Sequence, residues 1–245
     1  MWLLPSWGRA KMASKAIDDC HRMKMTSPAV LFVDGPGGDD SFYKSMRLPP
    51  NWRKIISPSR VRLSAQMQWA LGEYPSETHY GWLADDYRPQ TPYFDQELED
   101  SAGPWGYAQA NDLIITKHER AALPSALTSG LCWGGELVRA VGWWGWPAVT
   151  HVGIDGLWAM IIAKLGVCHY RRDVIVEHRR YTTGKRPKDC YDVTVKDDDP
   201  VVIADLVAWK KIRNDREEKA INAIVERVHT ARRAAYEARY AARKV

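Results

Sequence analysis

The sequence predicts an α/β fold, a sheet flanked by helices with a basic helical extension. Three observations predict it. The chain opens strand, helix, strand, the alternation that builds a parallel sheet. Short apolar runs end repeatedly in Gly, Pro or Asp, which stop a strand at its carboxyl end. From Leu206 onward Gly and Pro vanish, and the chain becomes rich in Ala, Arg, Glu and Lys.

Trp2 to Leu4 is the first apolar run, closed by Pro5-Ser6-Trp7-Gly8-Arg9. Residues 10–25 carry Met12, Ala16, Cys20 and Met23 at near-helical spacing. Ala29 to Val33 is a buried strand, broken by Asp34-Gly35-Pro36-Gly37-Gly38. A second helix covers 63–73, with Leu63, Met67, Ala70 and Leu71 on one face. Tyr80 to Ala84 is then a strand closed by Asp85-Asp86, and residues 87–150 mix strands with turns rich in Gly, Pro and Trp. A helix runs from Gly153 to Leu165, and Asp173 to His178 is a strand. Ile221, Ile224, Val225 and Val228 recur at i, i+3, i+4, i+7, an amphipathic helix. The boundaries expected are a main domain over 1–200 and a helical tail over 201–245.

The 245 residues are 45% hydrophobic, enough for one sizeable core. The net charge of +5 and a pI near 9.0 favour polyanionic partners only mildly. The basic residues concentrate at one end: within 227–245 stand Arg227, Arg232, Arg233, Arg239, Arg243 and Lys244 against Glu237 alone. Such a tail can meet DNA, lie on a membrane, pair with another subunit or pack its Ile/Val stripe on the domain. Cys20, Cys132, Cys168 and Cys190 form no CxxC pair and fit no zinc spacing, so free thiols in a reducing compartment are expected. No apolar stretch reaches the ~18 residues that span a bilayer, nor does the start read as a signal peptide. A cytoplasmic protein is expected.

The Asp85-Asp86 pair is the most informative local feature. Both carboxylates emerge at the carboxyl end of a strand, the edge where open α/β folds bind ligands. Adjacent carboxylates repel unless a cation is shared, and hard oxygen ligands suit Mg²⁺ or Mn²⁺. The competing reading is a solvated turn. Asp34 ends another strand and can accept from a base or ribose, or simply form the turn before Gly35. Arg9 and Ser6 can meet a uracil or phosphate, or make a surface pair. Asp155 opens its helix either as an N-terminal cap or as a general base. His151 lies one turn earlier, and His178 at a strand end can complete a metal site. Twelve Trp residues are unusual; Trp133 and Trp144 can stack on a base or sugar, or fill the core. No GxxxxGK[ST], GxSxG, HExxH or GxGxxG occurs.

Taken in order, these features resemble glycosyltransferases of the A-type fold, and more narrowly the small phage and prophage relatives of the inverting family-two enzymes. Leu4-Pro5-Ser6-Trp7-Gly8-Arg9 is similar to their P-[ST]-x-G-R nucleotide loop, and Val33-Asp34 to the second-strand acid that contacts the nucleoside. Leu83-Ala84-Asp85-Asp86 stands where their DxD motif stands, although the first carboxylate of a strict DxD is replaced. Gly134 to Arg139 resembles the acceptor-side segment. His151-Val152-Gly153-Ile154-Asp155 resembles the catalytic segment, with Ile154 where Glu is common. Val176-Glu177-His178, with Asp192, resembles the closing V-x-H…D pattern.

The resemblance implies a Rossmann-like mixed sheet and transfer of a sugar, glucose first, from a UDP-sugar to a hydroxyl with inversion. It implies Asp155 as base, and Asp86 with His178 as ligands of Mn²⁺ or Mg²⁺. Pro5, Ser6, Trp7, Arg9, Asp34, Arg62 and Asp85 would bind the nucleotide sugar. Trp133, Gly134, Gly135 and Trp144 would face the acceptor. Phage-type relatives imply a hydroxymethylated pyrimidine in DNA as acceptor, with host cytoplasm as location. A polysaccharide or protein acceptor, a nucleotidyltransferase and a non-catalytic nucleic-acid-binding module are the alternatives.

Overall fold

A computed structural model describes residues 1–37, 39–114, 131–151, 153–179, 184–185, 200, 203–205, 207–208 and 215–242. Val152, Cys190, Asp192, Arg243 and Lys244 lie outside the described residues.

The chain runs β1 (Trp2–Ser6), α1 (Ala10–Arg22), β2 (Ala29–Val33), α2 (Asp40–Ser45), β3 (Trp52–Ile56), α3 (Arg62–Glu73) and β4 (His79–Trp82). It continues through β5 (Tyr87–Pro89), α4 (Phe94–Ala102), β6 (Tyr107–Asn111), β7 (Leu131–Gly134) and α5 (Gly135–Val141). The remaining elements are α6 (Ile154–Leu165), β8 (Cys168–His178) and α7 (Asp215–Ala242). One sheet holds the strands in the order β3-β2-β1-β4-β7-β6-β8-β5. Its first half, β3-β2-β1-β4, is parallel. β7 then runs antiparallel to β4 and β6, β8 parallel to β6, and β5 antiparallel to β8. The parallel sheet that the opening alternation predicts is therefore one half of a mixed sheet.

β1 and β2 are apolar without alternation because both of their faces are covered. Leu3, Val30 and Phe32 face one core, while Trp2, Leu4, Leu31 and Val33 face the other. Ala10, Ala13, Ala16, Ile17 and Cys20 of α1 close the second core. Small residues there let the helix approach the strands. Met67 of α3 and Trp158, Ile161 and Ile162 of α6 close the first. At Gly81 of β4 a Cβ would sit 2.1 Å from the Trp2 indole, so only glycine lets that ring cross the strand. α6 stops where Gly166 takes a left-handed conformation, φ +64°.

The tail packs its predicted stripe. Ile221, Val225 and Val228 are buried in the first core. Lys164 of α6 pairs with Glu218 at 3.1 Å. Arg227 donates through Nε to the Ala140 carbonyl at 2.7 Å and through Nη2 to the Val141 carbonyl. A cation thus satisfies the last carbonyls of α5, where the helix dipole is negative.

Cys20, Cys132 and Cys168 are free, and burial pushes all three thiols up, Cys168 to about 11. Among the described residues no helix is long and apolar enough to cross a membrane.

Candidate active site

Three parallel strands deliver polar groups to one edge of the sheet. Ser6 ends β1, Asp34 follows β2 and Asp85-Asp86 follow β4. The edge is closed by direct contacts. The Ser6 hydroxyl donates to Asp85 Oδ2 at 2.7 Å and shares a second 2.7 Å bond with the Tyr43 hydroxyl. Arg9 forks onto Asp85, with Nε 3.0 Å from Oδ2 and Nη2 on Oδ1. The side chains of Arg9 and Asp85 are 9% and 2% exposed, so this is a buried bidentate pair. Asp85 is thereby committed to fixing Arg9 and Ser6. Tyr43, which also accepts from the Arg9 backbone N–H at 3.1 Å, is missed by sequence reading because α2 is too short to show a period.

The Asp34 carboxylate holds a distant loop rather than a local turn before Gly35. Its Oδ1 accepts from the backbone N–H groups of Val61 and Arg62 at 2.7 and 3.1 Å, at the start of α3. Arg60 lies 3.8 Å from Asp34 Oδ2 and stacks on the Trp7 ring, 3.6 Å from its centroid. Trp7 itself donates to the Pro36 carbonyl at 3.1 Å. Arg62 holds a left-handed backbone, φ +64°, which aims its N–H at Asp34. Pro5 lies within β1 beside Phe32.

Asp86 and His178 meet although they are far apart in sequence. The antiparallel β5–β8 register sets Tyr87 opposite His178, which brings the imidazole to the end of β4. His178 Nε2 lies 3.5 Å from Asp86 Oδ2, and both side chains are nearly buried. The Tyr87 ring packs edge-on against the imidazole, centroids 4.6 Å apart. Backbone bonds from His178 to the Asp112 carbonyl and from Arg179 to the Asp86 carbonyl hold the pair in place. Among the described residues no group of three His, Cys, Asp or Glu could by itself hold a metal ion. One carboxylate and one imidazole are a partial ligand set, of the kind that phosphate oxygens and water complete.

A cavity of about 260 Å³ opens beside this edge. Trp82, Trp133 and Trp158 with Leu63, Met67 and Leu131 form its apolar wall; His151 and Asp155 are its polar groups. Trp82 also faces Tyr87, ring centroids 6.0 Å apart, so one aromatic row runs from the cavity to His178. Asp155 is exposed in the first turn of α6, where the helix dipole favours an anion. Gly153 occupies the cap position instead, and Asp155 Oδ1 accepts from the Gly156 N–H at 2.9 Å. His151 is held by Asp205, a buried acid that sequence reading missed, through bonds from the Thr150 and His151 backbone N–H groups at 2.8 and 2.7 Å. Burial drives the His151 pKa down to about 4, helped by Arg62 and Arg60 and opposed by Asp205 and Asp34. Its imidazole is neutral at neutral pH.

Two groups of sequence candidates are not brought together with these residues. The β4–β7 register pairs His79 with Gly134, so Gly134 and Gly135 lie at the opposite edge of the sheet from Asp85 and Asp86. Both are packing glycines there: a Cβ would fall 2.3 Å from the Gly103 carbonyl and 2.1 Å from the Glu77 carbonyl. Trp144 is fully buried behind Trp133, ring centroids 5.9 Å apart, outside the cavity wall.

The chain superposes on residues 1–349 of S. aureus TarS with a TM-score of 0.52, at 13% identity over 94% of this chain and 70% of that one. TarS in complex with UDP-GlcNAc gives 0.52 at 12% identity, over 94% and 71% of the two chains. GalNAc-T7 with UDP, GalNAc and Mn²⁺ gives 0.50 at 10% identity, over 72% of this chain and 42% of that one. The chain has the glycosyltransferase-A fold. No family model matches the sequence, and no curated sequence resembles it significantly. In this glycosyltransferase-A sheet, Ser6, Asp34, Asp85 and Asp86 all stand at carboxyl strand ends, beside the switch from parallel to antiparallel pairing at β4.

Proposed function

We propose that this chain is a divalent-metal-dependent glycosyltransferase that moves a sugar, glucose first among candidates, from a UDP-sugar to an acceptor hydroxyl with inversion. The observation that carries the reading is the Asp86–His178 pair, 3.5 Å apart, joined by an aromatic row to the cavity that holds Asp155. In this reading the diphosphate meets the cation ligands and the acceptor hydroxyl meets Asp155.

Asp86 and His178 hold Mn²⁺ or Mg²⁺ in this reading, with Mn²⁺ favoured because Mg²⁺ prefers oxygen ligands throughout. The ion supplies charge neutralisation to the departing diphosphate. Ser6, Trp7, Arg9 and Arg62 bind the nucleotide; Pro5 shapes the strand end beneath them. Asp85 acts through Arg9, whose guanidinium it fixes, and Asp34 acts by shaping the 60–62 turn. Asp155 accepts the proton of the acceptor hydroxyl as that oxygen attacks the anomeric carbon, a role worth about 10²–10⁴ in rate. Neutral His151 positions and hydrogen-bonds without itself acting as an acid.

The cavity favours a flat apolar group next to the acceptor hydroxyl, because three Trp rings line it and few polar groups are present to meet a polyol. That supports a hydroxymethylated pyrimidine in DNA over a polysaccharide or protein side chain, with half-buried Trp82 taking the contact and Trp133 and Trp158 backing the wall behind it. The test is incubation with several UDP-sugars, Mn²⁺ and DNA with or without hydroxymethylpyrimidines, followed by nucleoside mass analysis and UDP assay. A hexosylated nucleoside that requires both Mn²⁺ and the hydroxymethyl group is expected. Pyrophosphate release would make the chain a nucleotidyltransferase, and no UDP release from any donor would end the transferase reading.

A further inference from the structure

The second half of α7 is a largely exposed arm. After Val228, the last residue of the buried stripe, every residue from His229 to Ala242 is exposed except Ala231 and Ala235. At 1.5 Å per residue those fourteen positions extend about 21 Å. Arg227, clamped to the carbonyls of α5, fixes where the arm leaves the domain.

The arm's side chains are sorted. At 100° per residue, Arg232, Arg233, Tyr236, Arg239 and Tyr240 fall within an arc of about 120°. Tyr236 is 71% exposed and Tyr240 56%. Arg232, Arg233 and Arg239 make no hydrogen bond or ion pair among the described residues. The opposite arc carries Ala234, Ala238, Ala241 and Glu237.

We infer that this face is a nucleic-acid-binding surface, gripping backbone phosphates through Arg232, Arg233 and Arg239 and presenting Tyr236 to bases or sugars. The charge is complementary to a polyanion, and an exposed helical face suits the ~12 Å major groove. Interleaved Arg and Tyr are the pairing that tracks a strand and stacks on it. A membrane surface needs bulky apolar residues opposite the basic face, and here that arc holds alanines, Thr230 and one acid. A second copy docked on the same face would set Arg against Arg.

The inference stands apart from the transferase reading, since binding needs neither donor nor metal. The test is fluorescence anisotropy of the full chain with labelled DNA, a duplex of about 24 base pairs and a matched single strand, in metal-free buffer across roughly 50–200 mM salt. The comparison is with the Arg232→Gln, Arg233→Gln, Arg239→Gln triple variant, its fold checked by circular dichroism and UDP binding. Wild type should bind with a steep salt dependence. The variant should lose at least about tenfold in affinity, and its log–log salt slope should shrink by about 2.7, for three phosphate contacts. Tyr236→Ala should weaken single-strand binding at unchanged salt slope. Equal affinity and slope in the triple variant would overturn the assignment, as would no wild-type binding at the lowest salt, or sedimentation with phosphatidylglycerol vesicles without DNA binding. DNA binding with no UDP release would leave the arm standing and the transferase reading failed.

Discussion

His178 Nε2 lies 3.5 Å from Asp86 Oδ2, and the two are joined by strand register, since Tyr87 directly follows Asp86 and pairs with His178. The β5–β8 pairing fixes the backbones from which both side chains reach one another. If the pair holds a cation, Asp86→Asn and His178→Ala should each weaken UDP binding in Mn²⁺ by about tenfold or more, while binding in EDTA equals that of wild type. Calorimetry in the two buffers checks this. Equal losses with and without metal would reduce the pair to a packing contact.

Asp155→Asn keeps the shape of the cavity and removes its one carboxylate. Turnover should fall by about 10²–10⁴ with UDP affinity unchanged. Single-turnover kinetics beside UDP titration separates the two quantities. Normal turnover would remove the base assignment.

The Arg9–Asp85 pair is buried and bidentate, so Asp85→Asn leaves a guanidinium without its counter-charge. A loss of about 3–5 kcal/mol in unfolding free energy is expected, against about 1 kcal/mol for Ser6→Ala, which removes a single hydroxyl. Urea unfolding measures both. A loss below 1 kcal/mol for Asp85→Asn would mean that water reaches the pair.

His151 gives a pH signature. Its folded pKa of about 4 lies below the ordinary 6.5, so the unfolded chain binds the extra proton first. The contribution is fully present above pH 6.5 and is lost as pH falls from 6.5 towards 4, by about 3 kcal/mol at most. His151→Gln should flatten the pH dependence of the unfolding midpoint across that window. The same slope in the variant would locate the titration elsewhere.

Much of the parallel half was legible in the sequence. Ala29–Val33 is an unbroken apolar run because both faces are covered, and α3 declares itself through the apolar face of Leu63, Met67, Ala70 and Leu71. β3, α4 and α5 were not legible. Trp52-Arg53-Lys54-Ile55-Ile56 carries charge through its middle because it lies at the sheet edge, and α5 is only seven residues long. At the site, the strand-end acids could be read locally, but partners could not. Tyr43 and Asp205 take their roles from contacts 37 and about 55 residues away. Trp144 and Trp133 look alike in sequence, and only the packing of α6 on β7 sets one at the cavity and the other behind it.

The Ser6–Asp85 and Arg9–Asp85 contacts close 79 and 76 residues of chain. Contacts of that span form slowly, because loop entropy is lost before pairing repays it. A nascent or partly unravelled chain therefore carries no half-made Ser6–Arg9–Asp85 rim, since that rim and the centre of the sheet are made by the same closure. Any compound that grips that rim in the folded state should raise the midpoint of global unfolding.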